Sequence, residues 1–209
     1  MRKRLSREES REQTTKHLVD AAKRLIAQKG LSATSVEDIA TAAGYSRGAF
    51  YSNFTTKFDL FIEVLRRDHL ATHAKFMALC DDDLPFDQLS TRLRETYSLQ
   101  YRDDESFLNW AEARMLAARD PEFRKRLGEV DAEKRRDIHG VVEYIFRRAG
   151  GEPPLPAYLM AMGFVSVIEG VKLTMLSAPE DISREGAESV LALFLDAVIQ
   201  HAVRRQAAQ

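Results

Sequence analysis

The chain has 209 residues, 44% hydrophobic and 30% charged, which excludes a disordered or fibrous polymer and leaves an ordinary globular protein of one or two domains. Its single cysteine, Cys80, excludes an internal disulfide and fits a reducing cytoplasm. The net charge of -1 conceals an asymmetry: residues 1–60 carry 11 Lys and Arg against 7 Asp and Glu, whereas residues 61–209 carry 20 against 25. A basic front on an acidic body suggests a first domain that faces a polyanion.

In chain order, the basic start Met1 to Arg4 is followed by SREESREQ rather than an apolar run, so no signal peptide is expected. The arm MRKRLSR reads first as a charged, disordered terminus, with a minor-groove contact or unspecific attraction to DNA as the alternative. Leu18, Ala21, Ala22, Leu25 and Ile26 share one face of a first helix, and Gly30 stands where its C-terminus needs a residue tolerant of positive φ. Ser35, with Asp38 three residues on, caps a short second helix carrying Val36, Ile39, Ala40 and Ala43, which Gly44 ends. Ser46 caps a third, in which Phe50 and Phe54 point the same way, and Thr56 with Asp59 opens a fourth.

Short helices joined by a Gly-containing turn, over about residues 35–54, form a helix-turn-helix pattern. The two rings anchor the third helix and leave Arg47, Gly48, Tyr51, Ser52 and Asn53 outward. Gly48 costs roughly 1 kcal/mol relative to Ala inside a helix, and close approach to a DNA base edge is a reason to keep it. Arg47 beside it suits a bidentate pair with guanine; Tyr51, Ser52 and Asn53 suit phosphate oxygens or base edges. Tyr51 can alternatively pack on the first helix. Ser35, Ser46 and Thr56 are caps first, with a phosphate contact as a second use of the same helix starts.

From about Gln13 to Leu65, through AAKRLIAQKG, TSVEDIATAAGYSRGAFYSNF and TKFDLF, the sequence resembles the tetracycline-repressor (TetR) family of bacterial transcriptional regulators. The resemblance implies a dimer whose third helices enter successive major grooves of double-stranded DNA. It puts Arg47 and Gly48 at base-contacting positions, and Tyr51, Asn53 and Lys57 at phosphate-contacting ones. Asn53 stands where the family more often has His, and Thr55 and Phe58 also depart from its commoner residues.

Beyond residue 60, Phe61, Val64, Leu65, Phe76 and Met77 continue one helix to about Cys80, where DDDLP ends it. Further helices are expected near 86–100, 105–118, 122–148, 156–176 and 184–204, with prolines at or near their boundaries and GGEPPLP as the clearest loop. The reading is all-α, with about nine helices: a helix-turn-helix domain over 1–60 and a larger helical domain for effector binding and dimerisation over 61–209. The apolar stretch Tyr158 to Leu176 contains Ser166, Glu169 and Lys172, so it reads as a buried helix rather than a membrane span.

The last two helices carry stripes made by Phe164, Val167, Ile168, Val171 and Met175 and by Val190, Phe194, Ala197, Val198 and His201, with further leucines off those faces. In the resembling family such helices pair across a twofold axis, setting recognition helices about 34 to 36 Å apart on a palindromic operator. The family also implies an effector pocket in the central helices. Candidate lining residues are Leu65, His69, His73, Phe76, Trp110, Arg114, Tyr144, Met162 and Glu169, although Trp110 also suits a core and Arg114 and Glu169 suit ion pairs.

His69 and His73 have the i, i+4 spacing of two metal ligands but lack a completing third, so no metal is expected. No P-loop, dinucleotide-binding glycine motif, GxSxG or HExxH occurs, so neither catalytic residues nor a cofactor are assigned. The leading reading is a cytoplasmic, homodimeric repressor released from DNA by a small-molecule effector. A DNA-binding dimer without an effector is the alternative, and a helix-bundle enzyme or carrier a more distant one.

Overall fold

The computed structural model describes residues 6–81 and 84–207, with the side chains of 81, 99–101, 198, 199 and 201–207 outside that description. Among the described residues there are nine helices and no strand: α1 (Arg7–Lys29), α2 (Val36–Ala42), α3 (Arg47–Tyr51), α4 (Lys57–Asp81), α5 (Phe86–Arg102), α6 (Asp104–Arg119), α7 (Pro121–Arg148), α8 (Ala157–Ser177) and α9 (Arg184–Ala207). The chain divides into two compact units, one of residues 1–69 with 104–130 and one of 70–103 with 131–209. The first unit is therefore discontinuous in sequence, and the expected boundary at residue 60 falls inside α4.

Helix starts follow local chemistry. Ser6 and Glu9 form a reciprocal capping box, the Glu9 N–H donating to Ser6 Oγ at 3.1 Å and the Ser6 N–H to Glu9 Oε2 at 2.7 Å. α1 thus begins eleven residues before its apolar face does, and the expectation of a disordered arm fails from Ser6 onward; residues 1–5 lie outside the described residues. Ser35 with Asp38 repeats the box on α2, and Ser46 accepts the Ala49 N–H at the start of α3. Gly30 and Gly44 adopt φ of 78° and 79° in the turns that follow α1 and α2, where a side chain would be strained.

The first unit packs α1, α2, α3 and the start of α4 around Leu18, Ala22, Ile39, Phe50, Leu60, Phe61 and Leu65, all fully buried. α6 contributes Trp110 and Ala113 to the same core, and α7 contributes Phe123, whose ring lies 5.5 Å from that of Phe58 and 5.8 Å from that of Phe61. Each such ring stabilises by roughly 1.5–3 kcal/mol through burial. α6 and the first turns of α7 therefore belong to the core that supports the short helices.

The second unit buries Leu79, Leu89, Leu93, Val141, Ile145 and Leu195 in one cluster, and Tyr97, Ala187 and Leu191 in another. Tyr97 donates its hydroxyl to the Phe164 carbonyl at 2.9 Å, and burial pushes its pKa well up. Gly150, at φ 80°, sits in the predicted loop between α7 and α8. α8 was expected to be a buried helix, and only one of its faces is: Met160, Ala161 and Lys172 are buried, whereas Tyr158, Met162, Leu173 and Leu176 are exposed. Its length and composition alone would suffice for a membrane span.

Candidate nucleic-acid interface

α3 is five residues long, and its two surfaces differ in chemistry. Phe50 is fully buried and touches Phe54 with ring centroids 5.9 Å apart, which fixes the helix against α1 and α2. Ser46, Arg47, Gly48, Tyr51 and Ser52 are exposed. Tyr51 stays 49% exposed. Its ring lies 5.6 Å beneath the Arg47 guanidinium carbon, and its hydroxyl, hydrogen-bonded to Arg47, raises the Arg47 pKa further. The stacked pair holds a permanent cation at the open end of α3, pre-oriented by one turn of helix.

Nothing inside the chain demands the absence of a side chain at Gly48. A Cβ there would meet only Ser46 Oγ, at an ordinary 3.6 Å, so the room is on the solvent side. Ser52 donates to the Gly48 carbonyl at 3.0 Å, leaving a hydroxyl oxygen as acceptor at the same surface.

Two expected phosphate contacts are placed differently. Asn53 is half-buried: its Oδ1 accepts from Thr15 Oγ1 at 3.0 Å and its Nδ2 donates to the Ala49 carbonyl at 2.7 Å, so the amide joins α3 to α1. Lys57 donates to the carbonyl oxygens of Leu31 at 2.5 Å and Thr34 at 2.7 Å, and burial lowers its pKa. Both side chains serve the scaffold behind the surface. Thr56 caps α4 by accepting the Asp59 N–H at 3.1 Å, while Asp59 Oδ2 accepts both the N–H and the hydroxyl of Thr56 at 2.8 Å. Ser35 and Ser46 are likewise occupied as caps.

The surface gains one pair that sequence reasoning missed. His17 Nδ1 and the Tyr45 hydroxyl share a hydrogen bond at 3.1 Å, joining α1 to the turn before α3. Aromatic and polar residues nearly thirty positions apart carry no periodic signal of such a pair.

The pattern of tetR-family bacterial regulatory proteins matches residues 18–64, and that of the BetI-type transcriptional repressor C-terminal region matches residues 85–200, more than half of the chain. The chain belongs to the TetR family. Over 53 residues it is 49% identical to the HTH-type transcriptional regulator AcrR of Shigella flexneri, a stretch that spans 25% of each protein. A structure from Rhodococcus sp. assigned to the TetR family superposes with a TM-score of 0.75 at 23% identity, covering 90% of this chain and 99% of that one. The triclosan complex of SmeT, a repressor from Stenotrophomonas maltophilia, superposes with a TM-score of 0.66 at 21% identity, covering 88% and 90%. At these identities the structural likenesses establish the fold.

Within this TetR-family fold, the expected pocket residues are divided between the two units. Leu65, His69 and Trp110 are buried in the first unit, where the Trp110 indole N–H donates to Asp68 Oδ2 at 2.9 Å. Arg114 is exposed, its guanidinium carbon 6.0 Å from the Trp110 ring centroid. Phe76 and Tyr144 pack on the leucine-rich cluster of the second unit, His73 and Glu169 are half-buried in that unit, and Met162 is 58% exposed. Met162 points out because its neighbours Met160 and Ala161 take the inward face of α8. The second unit instead shows a cleft of about 510 Å³ between α5 and α9, with Tyr97, Leu191 and Leu195 as its apolar floor. The ion pairs Arg94–Asp196, at 2.7 Å, and Arg102–Glu188, at 2.9 Å, bridge the same two helices. Among the described residues no group of three or more His, Cys, Asp or Glu is arranged to hold a metal ion.

The α8 part of the expected association stripe is partly buried within its own unit. Phe164, Val167, Ile168, Val171 and Met175 pack on Tyr97, Ala187 and Leu191 of the same unit, and Phe194 is half-buried with its ring 5.7 Å from that of Phe164. Val190 and Ala197 are exposed as expected, and the side chains of Val198 and His201 lie outside the described residues. The outward apolar face consists of Tyr158, Met162, Leu173 and Leu176 on α8 and Val190 and Leu193 on α9. Leu193, 72% exposed, is the most open of these.

Proposed function

We propose that this TetR-family regulator is a cytoplasmic homodimeric repressor that binds a palindromic duplex through two copies of α3 and is released by a small-molecule effector. The carrying observation is the split chemistry of α3: Phe50 is fully buried, while Arg47, Gly48, Tyr51 and Ser52 share the exposed surface. Arg47 reads a guanine edge, Gly48 lets the backbone come close, and Tyr51 and Ser52 hold phosphate oxygens. The protein acts by binding, without catalysis.

The exposed face of Tyr158, Met162, Leu173, Leu176, Val190 and Leu193 supports pairing with a second copy. Twofold pairing makes the operator palindromic, with half-sites about 34 to 36 Å apart. The effector part of the reading draws on SmeT, of the same fold, which has been captured with triclosan, and the open α5–α9 cleft offers a place to look for such a ligand. Moving the dimer from 99:1 in favour of the binding-competent state to 1:99 requires the effector to favour the released state by about 5.5 kcal/mol.

Selection from random duplexes tests this reading. The purified protein is expected to enrich a palindrome, with affinity that falls steeply as salt rises. Arg47→Ala is expected to relax preference at one position of each half-site at a cost of about 1–3 kcal/mol. A ligand library screened on the complex is then expected to yield compounds that release the DNA. Failure to bind any duplex would overturn the reading; binding that no compound reverses would leave a DNA-binding dimer without an effector.

A further inference from the structure

α1 is tied by polar contacts along its length, among them one from Arg67 on α4 to Glu12 at 2.9 Å. Toward its N-terminus, Thr15 donates to Asn53 Oδ1 at 3.0 Å, and the same amide grips α3 through the Ala49 carbonyl at 2.7 Å. His17 holds Tyr45 in the turn before α3, at 3.1 Å. Toward the C-terminus, besides the Lys29 bond to Asp38 on α2 at 2.7 Å, the ties reach α4 and α6. The Lys23 ammonium meets Asp68 Oδ1 at 3.0 Å, the Lys23 carbonyl accepts from Asn109 Nδ2 at 3.0 Å, and the Leu31 N–H donates to Glu112 Oε1 at 3.0 Å.

Asp68 is the centre of this second set. Beyond Lys23 on α1, it accepts from Ser106 Oγ at 2.5 Å and from the Trp110 indole N–H at 2.9 Å, both on α6. One carboxylate on α4 therefore fixes two other helices. Its side chain is only 10% exposed, so the charge-assisted bonds are poorly screened. Apolar burial is non-directional and lets packed helices slide, whereas these bonds hold over a few tenths of an ångström. Asn109 points the same way: its Oδ1 is buried without a hydrogen-bond partner while its Nδ2 donates to the carbonyls of Lys23 and Glu105. An orphaned acceptor is unfavourable, and it is tolerated here where the amide bridges α6 to α1.

We propose that Asp68 is a positioning residue for DNA recognition, setting the attitude of α3 through α1. This rests on the DNA-binding reading above. Thr15 and Lys23 are eight residues apart, roughly 12 Å along a rigid helix, so a change at Asp68 arrives at Asn53 and Tyr45 as a rotation or slide of α1. Helix shifts of about 1–2 Å are enough to misplace a base-reading side chain.

A double-mutant cycle in the full-length protein, read as affinity for the selected duplex, tests the proposal. Asp68→Asn keeps the shape but presents an amide to Lys23, and is expected to weaken binding about tenfold with the dimer intact. Thr15→Val is expected to weaken binding as well. Sites this far apart ordinarily act independently, so their effects multiply to within about twofold. Here the double variant is expected to bind no worse than about twofold below the weaker single variant, and Thr15→Ser is expected to restore the full Asp68→Asn penalty. Independent effects, or an Asp68→Asn protein that binds like the wild type, would overturn the proposal. Should Asp68→Asn not fold, Ser106→Ala and Glu112→Gln take its place in the same cycle, and the absence of coupling in both overturns it equally. A wild type that binds no duplex overturns the DNA-binding reading and this inference with it, whereas independent effects in a wild type that binds overturn this inference alone.

Discussion

The ammonium of Lys57 lies 2.7 Å from the carbonyl oxygen of Thr34, with the Leu31 carbonyl as its second acceptor. A lysine at the start of α4 thereby closes the loop between α1 and α2 from below. Lys57→Met leaves two partly buried carbonyls without a charged donor and is expected to lower stability by about 1–3 kcal/mol, measured by urea unfolding. If the same ammonium were chiefly a phosphate ligand, the variant would instead keep its stability and reduce the salt slope of DNA binding by about one.

Gly48 separates stability from recognition. Its added Cβ has only Ser46 Oγ at 3.6 Å to meet, and Ala is the better helix former. Gly48→Ala is therefore expected to leave the melting temperature unchanged or raise it, by up to about 1 kcal/mol of stability. Fluorescence anisotropy is expected to show the opposite sign for DNA, a loss of tenfold or more, because the methyl group occupies the space of the base edge. A variant that is both more stable and fully able to bind would remove Gly48 from the interface.

Much of this was legible in the sequence, for local reasons. Ser35, Ser46 and Thr56 mark helix starts because a cap and its partner lie within three residues, and Phe50 is recognisable as an anchor from its spacing to Phe54. The start of α1 is equally local, since Ser6 and Glu9 spell a capping box, although the charged arm around it has the composition of a disordered terminus. What remained hidden depends on distant pairs. Asn53 and Lys57 are polar residues near an interface, and only the folded chain shows their groups engaged with Thr15 and with the Leu31 and Thr34 carbonyls. α8 failed for another reason: it is apolar nearly all round, so periodicity could not say which stripe faces its own unit. The discontinuous first unit was invisible because α6 joins it through core residues far along the chain.

The outward face of α8 and α9 gives the third prediction. Leu193 and Val190 project from the side of α9 opposite Leu191 and Leu195, which are buried. A charge at Leu193 therefore leaves the subunit's own core intact. Leu193→Glu is expected to convert the dimer to monomer in sedimentation velocity, with unchanged helical circular dichroism, and to abolish cooperative binding to a palindrome. By contrast, Phe164→Glu strikes the ring packed between Tyr97 and Phe194, and is expected to unfold the second unit rather than merely to separate subunits.

The Asp38 carboxylate sets an acid limit on α2. Its hydrogen bond from Lys29, at 2.7 Å, and then its bonds from Ser35 hold its pKa down from 3.8 to about 2. The folded state thus binds this proton less readily than the unfolded chain. The resulting stabilisation is complete above about pH 4 and is lost as pH falls from there toward 2. Asp38→Asn removes the titrating group while keeping its size, so its melting temperature is expected to fall less steeply across that window than the wild type's. Above pH 5 the offset between the two proteins is expected to stay constant, since the carboxylate is ionised in both folded and unfolded chains. A wild-type curve parallel to that of the variant between pH 4 and 2 would mean that the Lys29 and Ser35 bonds do not persist in solution.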